Sequence, residues 1–121
     1  MAVRLLHVAA LYLVVGASLG MYMGITQNFS LVPVHAHVLL AGWLTLAVAG
    51  LVYHAYPAAA ATRLARAHFW LHNLGLPVFM AGLALMLTGH GKPEAVIAGG
   101  ASALLLGLVA FAANLWQRLR G

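Results

Sequence analysis

An all-α integral membrane protein, a four-helix bundle with both termini on the inner side, is predicted from composition, from four apolar runs of spanning length, and from the placement of the basic residues. Of the 121 residues, 64% are hydrophobic and 6% charged, with a mean hydropathy of +0.99; soluble domains carry about a quarter of charged residues. At 1.5 Å per residue, about 20 apolar residues cross a hydrocarbon core. Runs over about residues 5–25, 31–56, 64–89 and 95–116 reach that length. The connections between them are short, so residues 1–121 read as a single transmembrane domain.

The first run follows Arg4, as a signal peptide would, but it is long for a signal core and three further runs follow, so a retained span is expected. Gly16, Gly20 and Gly24 repeat every four residues and line one face for close helix packing. Thr26, Gln27, Asn28 and Ser30 form a polar loop, and Pro33 suits the first turn of the second helix, where its missing N–H does no harm. Pro57 and its following alanines end that helix. The third helix carries His68 and His72 on one face, with Asn73 beside them. Pro77 cannot donate to the Asn73 carbonyl, which predicts a kink or a freed acceptor there. Gly75, Gly82 and Gly89 recur every seven residues and predict a second close contact, with Gly99, Ala103 and Gly107 as the matching seam of the fourth helix. The tyrosines and Trp116 near run ends suit an interfacial aromatic belt.

Cysteine is absent, which excludes disulfides, thiolate metal sites and covalent haem attachment. The net charge of +5 comes from six basic residues at the ends of apolar runs, which reads as topology rather than a nucleic-acid patch. Arg4, Arg63, Arg66, Arg118 and Arg120 fall on one side of an even-span chain and Lys92 on the other. This places the termini in the cytoplasm, His35, His37 and His90 toward the outer face, and His7, His54, His68 and His72 in the inner half.

His35-Ala36-His37 is the chemically loaded stretch. Two imidazoles inside a spanning run demand partners. At about 100° per residue their side chains diverge by about 200°, so they do not readily share one small ion, but each can face a different cofactor. Gly42, seven residues after His35, lies on nearly the same face; it either leaves a gap for a flat macrocycle or serves helix packing. His37 and His72 are expected to differ in depth by roughly 10–15 Å of a ~30 Å core, too far to share an iron.

The stretch from Val34 to Pro57, with His35-Ala36-His37 leading into Leu40-Ala41-Gly42-Trp43 and ending Tyr53-His54-Ala55-Tyr56-Pro57, resembles the tenth helix of haem-copper oxidase subunit I. The stretch from Ala67 to Gly82, beginning His68-Phe69-Trp70, resembles the helix that follows it. The same His-x-His and Gly are also similar to haem- and copper-containing membrane proteins of the nitric oxide stress response. Together these segments cover about half of the chain. The resemblance implies one four-helix unit, a third of the twelve-helix fold, and haem b as cofactor with His35 and His37 as the metal-ligating residues. Gly42, Trp43 and His72 are the further cofactor-binding candidates, and His90 and Lys92 are placed to meet haem propionates. The chain departs from the family in having no adjacent His-His pair and one carboxylic residue, Glu94, in a loop. A complete proton-pumping oxidase is therefore not expected. A homotrimer would restore a full ring, with His35 of one copy and His37 of its neighbour on either side of a haem.

The implied function is a haem b protein of the inner membrane, acting in electron transfer or in binding O2 or NO. The alternative is a copper- or metal-handling membrane protein or transporter without haem. A third reading is a small assembly subunit with structural histidines. The expected partners are the lipid bilayer and further copies of the chain.

Overall fold

The computed structural model describes residues 1–119, so Arg120 of the topology argument lies outside the described residues. Those residues are helical, with no strand among them. The helices are α1 (Ala2–Thr26), α2 (Val32–Ala55), α3 (Arg63–Leu87) and α4 (Glu94–Arg118), each long and apolar enough to cross a membrane. The chain thus has the build of a multi-pass membrane protein.

Local chemistry explains the helix ends. Gln27 closes α1 in the left-handed region at φ 53°. Asn28 Oδ1 then accepts from Ser30 N and Oγ at 3.1 and 2.8 Å, forming the turn into α2. Pro33 sits in the first turn of α2. Tyr56, held extended by the proline that follows it, ends α2 at φ −125°, and Pro57–Ala60 makes one separate helical turn. Thr62 caps α3 by accepting from Ala65 N at 3.0 Å. Gly89 and Gly91, at φ 77° and 96°, turn the chain toward α4.

Two close hairpins, α1 with α2 and α3 with α4, form the bundle. Between helices in lipid there is little hydrophobic drive, and van der Waals fit takes its place. Glycine provides that fit. A Cβ on Gly75 would meet Leu104 N at 2.6 Å and Gly100 O at 2.9 Å, and one on Gly100 would run into the Phe79 backbone. A Cβ on Gly107 would lie 3.0 Å from His72 N. The α4 seam therefore runs through Gly100, Ala103 and Gly107, whereas the expected Gly99 has no atom within 4 Å of its Cβ position. Gly89 leaves the predicted seven-residue series for the turn. In the other hairpin Gly16 lies against Leu39 and Gly20 against His35, while Gly24 is open.

The second helix is not the uniform α-helix expected over 31–56. Val38–Leu44 is a π-helical segment, a form that costs regularity and recurs at functional sites. Conversely, α3 runs through Pro77 without a break. The Asn73 side chain donates to Phe69 O at 2.7 Å.

Adding one methyl on each side of the α4 seam separates packing from propensity. Gly100→Ala should destabilise the protein by about 1–3 kcal/mol, and Gly99→Ala should be neutral or gain up to about 1 kcal/mol from helix propensity. Unfolding of the two variants in detergent, followed by circular dichroism, checks both signs.

Candidate functional site

His35 and His37 open α2 and turn to different neighbours. The His35 ring lies in the notch made by Gly16 and Gly20: a Cβ on Gly20 would come within 2.8 Å of His35 Cε1. Its Nδ1 is 2.8 Å from the Gly16 carbonyl. The His37 ring meets Phe79 of α3 edge-on, with centroids 5.2 Å apart at 78°, and its Nδ1 is 2.7 Å from the Pro33 carbonyl. A carbonyl can only accept, so both Nδ1 atoms carry the proton. In the neutral ring Nε2 then bears the lone pair, and neither Nε2 has a hydrogen-bond partner among the described residues. Both side chains are half-buried. Pinning one ring nitrogen to a carbonyl orients the ring and frees the other for a metal.

Gly42 faces α1, as His35 does, but the space above it is filled. The Tyr12 ring lies 2.5–2.8 Å from the Cβ position of Gly42, so the gap expected for a macrocycle is closed by this helix contact within the chain. Trp43 is half-buried and packs on the cluster around Leu5, Ala9 and Leu46.

His72 does not join the pair. It is wholly buried, and its Nε2 lies 2.8 Å from the Ala41 carbonyl. The π segment explains why that carbonyl is available. Thr45 N–H bonds Leu40 O, five residues back; a ladder resuming at four-residue spacing from Leu46 to Gly42 passes over Ala41. His72 donates to the carbonyl left over. A freed acceptor thus arises on α2 from the π segment, in addition to the Asn73 carbonyl on α3, to which Pro77 has no N–H to donate. Ala41 lies four residues beyond His37, and His72 lies seven residues from Phe79, so the offset in depth is about 6–10 Å. This is smaller than the 10–15 Å expected from the run boundaries.

Below His72 lies a polar core that no sequence motif marks. Tyr53 OH is 3.3 Å from His68 Nδ1, and Asn114 Nδ2 approaches Tyr53 OH at 3.5 Å and donates to Ala59 O at 2.9 Å. Thr62 Oγ1 bonds Asn114 Oδ1 at 2.8 Å. Tyr53 is 1% exposed and therefore belongs to the core rather than to the aromatic belt, whereas Tyr22, Tyr56 and Trp116 are exposed. His68, also wholly buried, lies between Phe111 and His72, with ring centroids 4.8 and 5.3 Å away. His68 Nε2 and His72 Nδ1 are buried without partners. The signal for this core was Asn114, the one amide within the apolar run 95–116, since a buried amide requires partners on other helices.

His7, His54 and His90 are exposed. His90 Nδ1 is 2.9 Å from Thr88 Oγ1 within its own loop. Arg66 borders one pocket with Arg63 and Arg118 and another with Arg4, so these four basic residues gather at one end of the bundle.

If the π segment depends on His72, His72→Ala should destabilise the fold by about 1–2 kcal/mol, the upper part of the range for interhelical hydrogen bonds in membranes. His90→Ala should leave stability unchanged. Denaturation in mixed micelles measures both. Equal stability of His72→Ala and the parent would show that the Ala41 carbonyl is satisfied without the imidazole.

No protein-family model, curated protein or solved structure matches this chain.

Proposed function

We propose that this chain is a haem b-binding protein of the cytoplasmic membrane, related to haem-copper oxidase subunit I, that serves electron transfer or the binding of a diatomic gas. The observation that carries the reading is the shared orientation of His35 and His37: each Nδ1 is held by a backbone carbonyl and each Nε2 is left without a partner among the described residues. Neutral imidazoles so oriented are suited to axial iron ligation. The two rings pack toward different helices, α1 and α3, which favours one ligand for each of two haems over two ligands for one. His72, buried and bonded to Ala41, supports this arrangement by fixing α3 against α2 just beyond the pair.

A head-to-tail ring of copies would give each haem one His35 and one His37 from adjacent subunits, and a trimer corresponds to the three-arc plan of the family. Two histidine ligands make the iron six-coordinate and fit for one-electron transfer, whereas an open sixth position admits a gas. The gathered arginines at one end support an orientation with both termini in the cytoplasm and the histidine pair toward the outer face.

The protein purified in mild detergent should show a sharp Soret band and split α/β bands on dithionite reduction. His35→Ala and His37→Ala should each lower haem content, while His90→Ala should retain most of it. Colourless protein would overturn the haem assignment, and equal loss in all three variants would overturn the choice of ligands. Sedimentation as a stable monomer with full haem content would overturn the interface arrangement.

A further inference from the structure

At the end of the bundle opposite the His35–His37 pair, a pocket of about 510 Å³ is bordered by Thr62, Arg63, Arg66, Asn114, Gln117 and Arg118. Three guanidinium groups around one concavity favour an anion. The sole acidic side chain in the sequence is Glu94. Glu94 begins α4 and Arg118 ends it, 24 residues apart, which at 1.5 Å per residue is about 36 Å along the helix.

Backbone polarity adds to the charge. Thr62 satisfies the third N–H of α3 through its side chain and the fourth through its carbonyl. The first two, of Arg63 and Leu64, have no partner among the described residues, and both residues line the pocket. A helix start with free N–H groups favours an anion. The floor is rigid, because the wholly buried Asn114 ties α4 to Thr62 and to the Ala59 carbonyl.

The neighbouring face of α4 is apolar. Ala112, Leu115, Trp116 and Leu119 line a groove of about 470 Å³, and Trp116 is 89% exposed. Leu115 and Arg118 lie three residues apart on α4, so groove and basic pocket adjoin. An occupant that satisfies both has a phosphate for the arginines and a hydrocarbon chain for the groove, which is the chemistry of a phospholipid with net negative charge.

We infer that Arg63, Arg66 and Arg118 bind the headgroup phosphate of an anionic phospholipid such as phosphatidylglycerol, with an acyl chain laid along the Ala112–Leu119 groove. Positive charge at this end then does more than set orientation: it creates a lipid site between α3 and α4.

Native mass spectrometry of the full chain in mild detergent, titrated with phosphatidylglycerol or phosphatidylcholine, tests the inference. One phosphatidylglycerol should be retained in preference to phosphatidylcholine. An Arg63→Gln/Arg118→Gln variant should bind it on the order of thirtyfold more weakly, from about 1 kcal/mol per basic residue near a membrane surface. Trp116→Ala should weaken retention while leaving the headgroup preference intact. Helicity by circular dichroism verifies that each variant is folded, and Arg118→Gln alone serves if the double variant is not. Equal retention of the two lipids, or unchanged binding by a folded arginine variant, would overturn the site. Displacement of the lipid by millimolar inorganic phosphate would overturn the lipid assignment in favour of a free-anion site.

Discussion

In hydrocarbon, a backbone carbonyl with no donor has no water to turn to, and this constraint governs the middle of the molecule. The π segment of α2 leaves the Ala41 carbonyl outside the helical ladder, and His72 of α3 supplies the missing donor at 2.8 Å. The His72 backbone also stands close to α4, an approach that Gly107 permits. His72 thus touches α2 through its side chain and α4 through its backbone. Tyr53 with His68, and Asn114 with Tyr53, repeat the link between the hairpins nearer the arginine-bearing end.

The π segment also sets which way the rest of α2 faces. In a uniform helix Tyr53, eighteen residues after His35, would return to the same face after five turns. The structure instead points His35 to Gly16 and Gly20 of α1 and Tyr53 to His68 of α3. One residue inserted by the return from five- to four-residue spacing delays everything after it by about 100°, which carries Tyr53 away from the α1 side. The histidine pair can therefore face α1 and α3 while the lower half of the same helix closes the polar core.

Four spans were legible in the sequence to within about three residues at each end because length and apolarity set them directly. The glycine seams were legible as seams, since repeated small residues have few other uses in a spanning helix. Their phase was not: Gly99 and Gly100 are adjacent, and only the backbone path of α3 past Phe79 decides which one is in contact. The opposed directions of His35 and His37 followed from helix periodicity alone. The π segment did not, because Val38–Leu44 carries no residue that forbids an α-helix. Gly42 likewise supports two readings in the sequence, and the Tyr12 ring that lies over it decides between them.

Seven histidines in a membrane chain invite a single explanation, yet the geometry divides them by what their nitrogens are already doing. His68 and His72 are wholly buried, and each spends one ring nitrogen on a contact that joins the hairpins. His90 bonds within its loop. His35 and His37 alone combine partial burial, a protonated Nδ1 held by a backbone carbonyl, and an Nε2 with no partner among the described residues. His68 Nε2 and His72 Nδ1 are also without partners, but both are sealed inside the bundle, whereas His35 and His37 are half-buried at the start of α2. The distinction lies in the ring orientation that neighbouring carbonyls impose, and the sequence of α2 alone does not contain it.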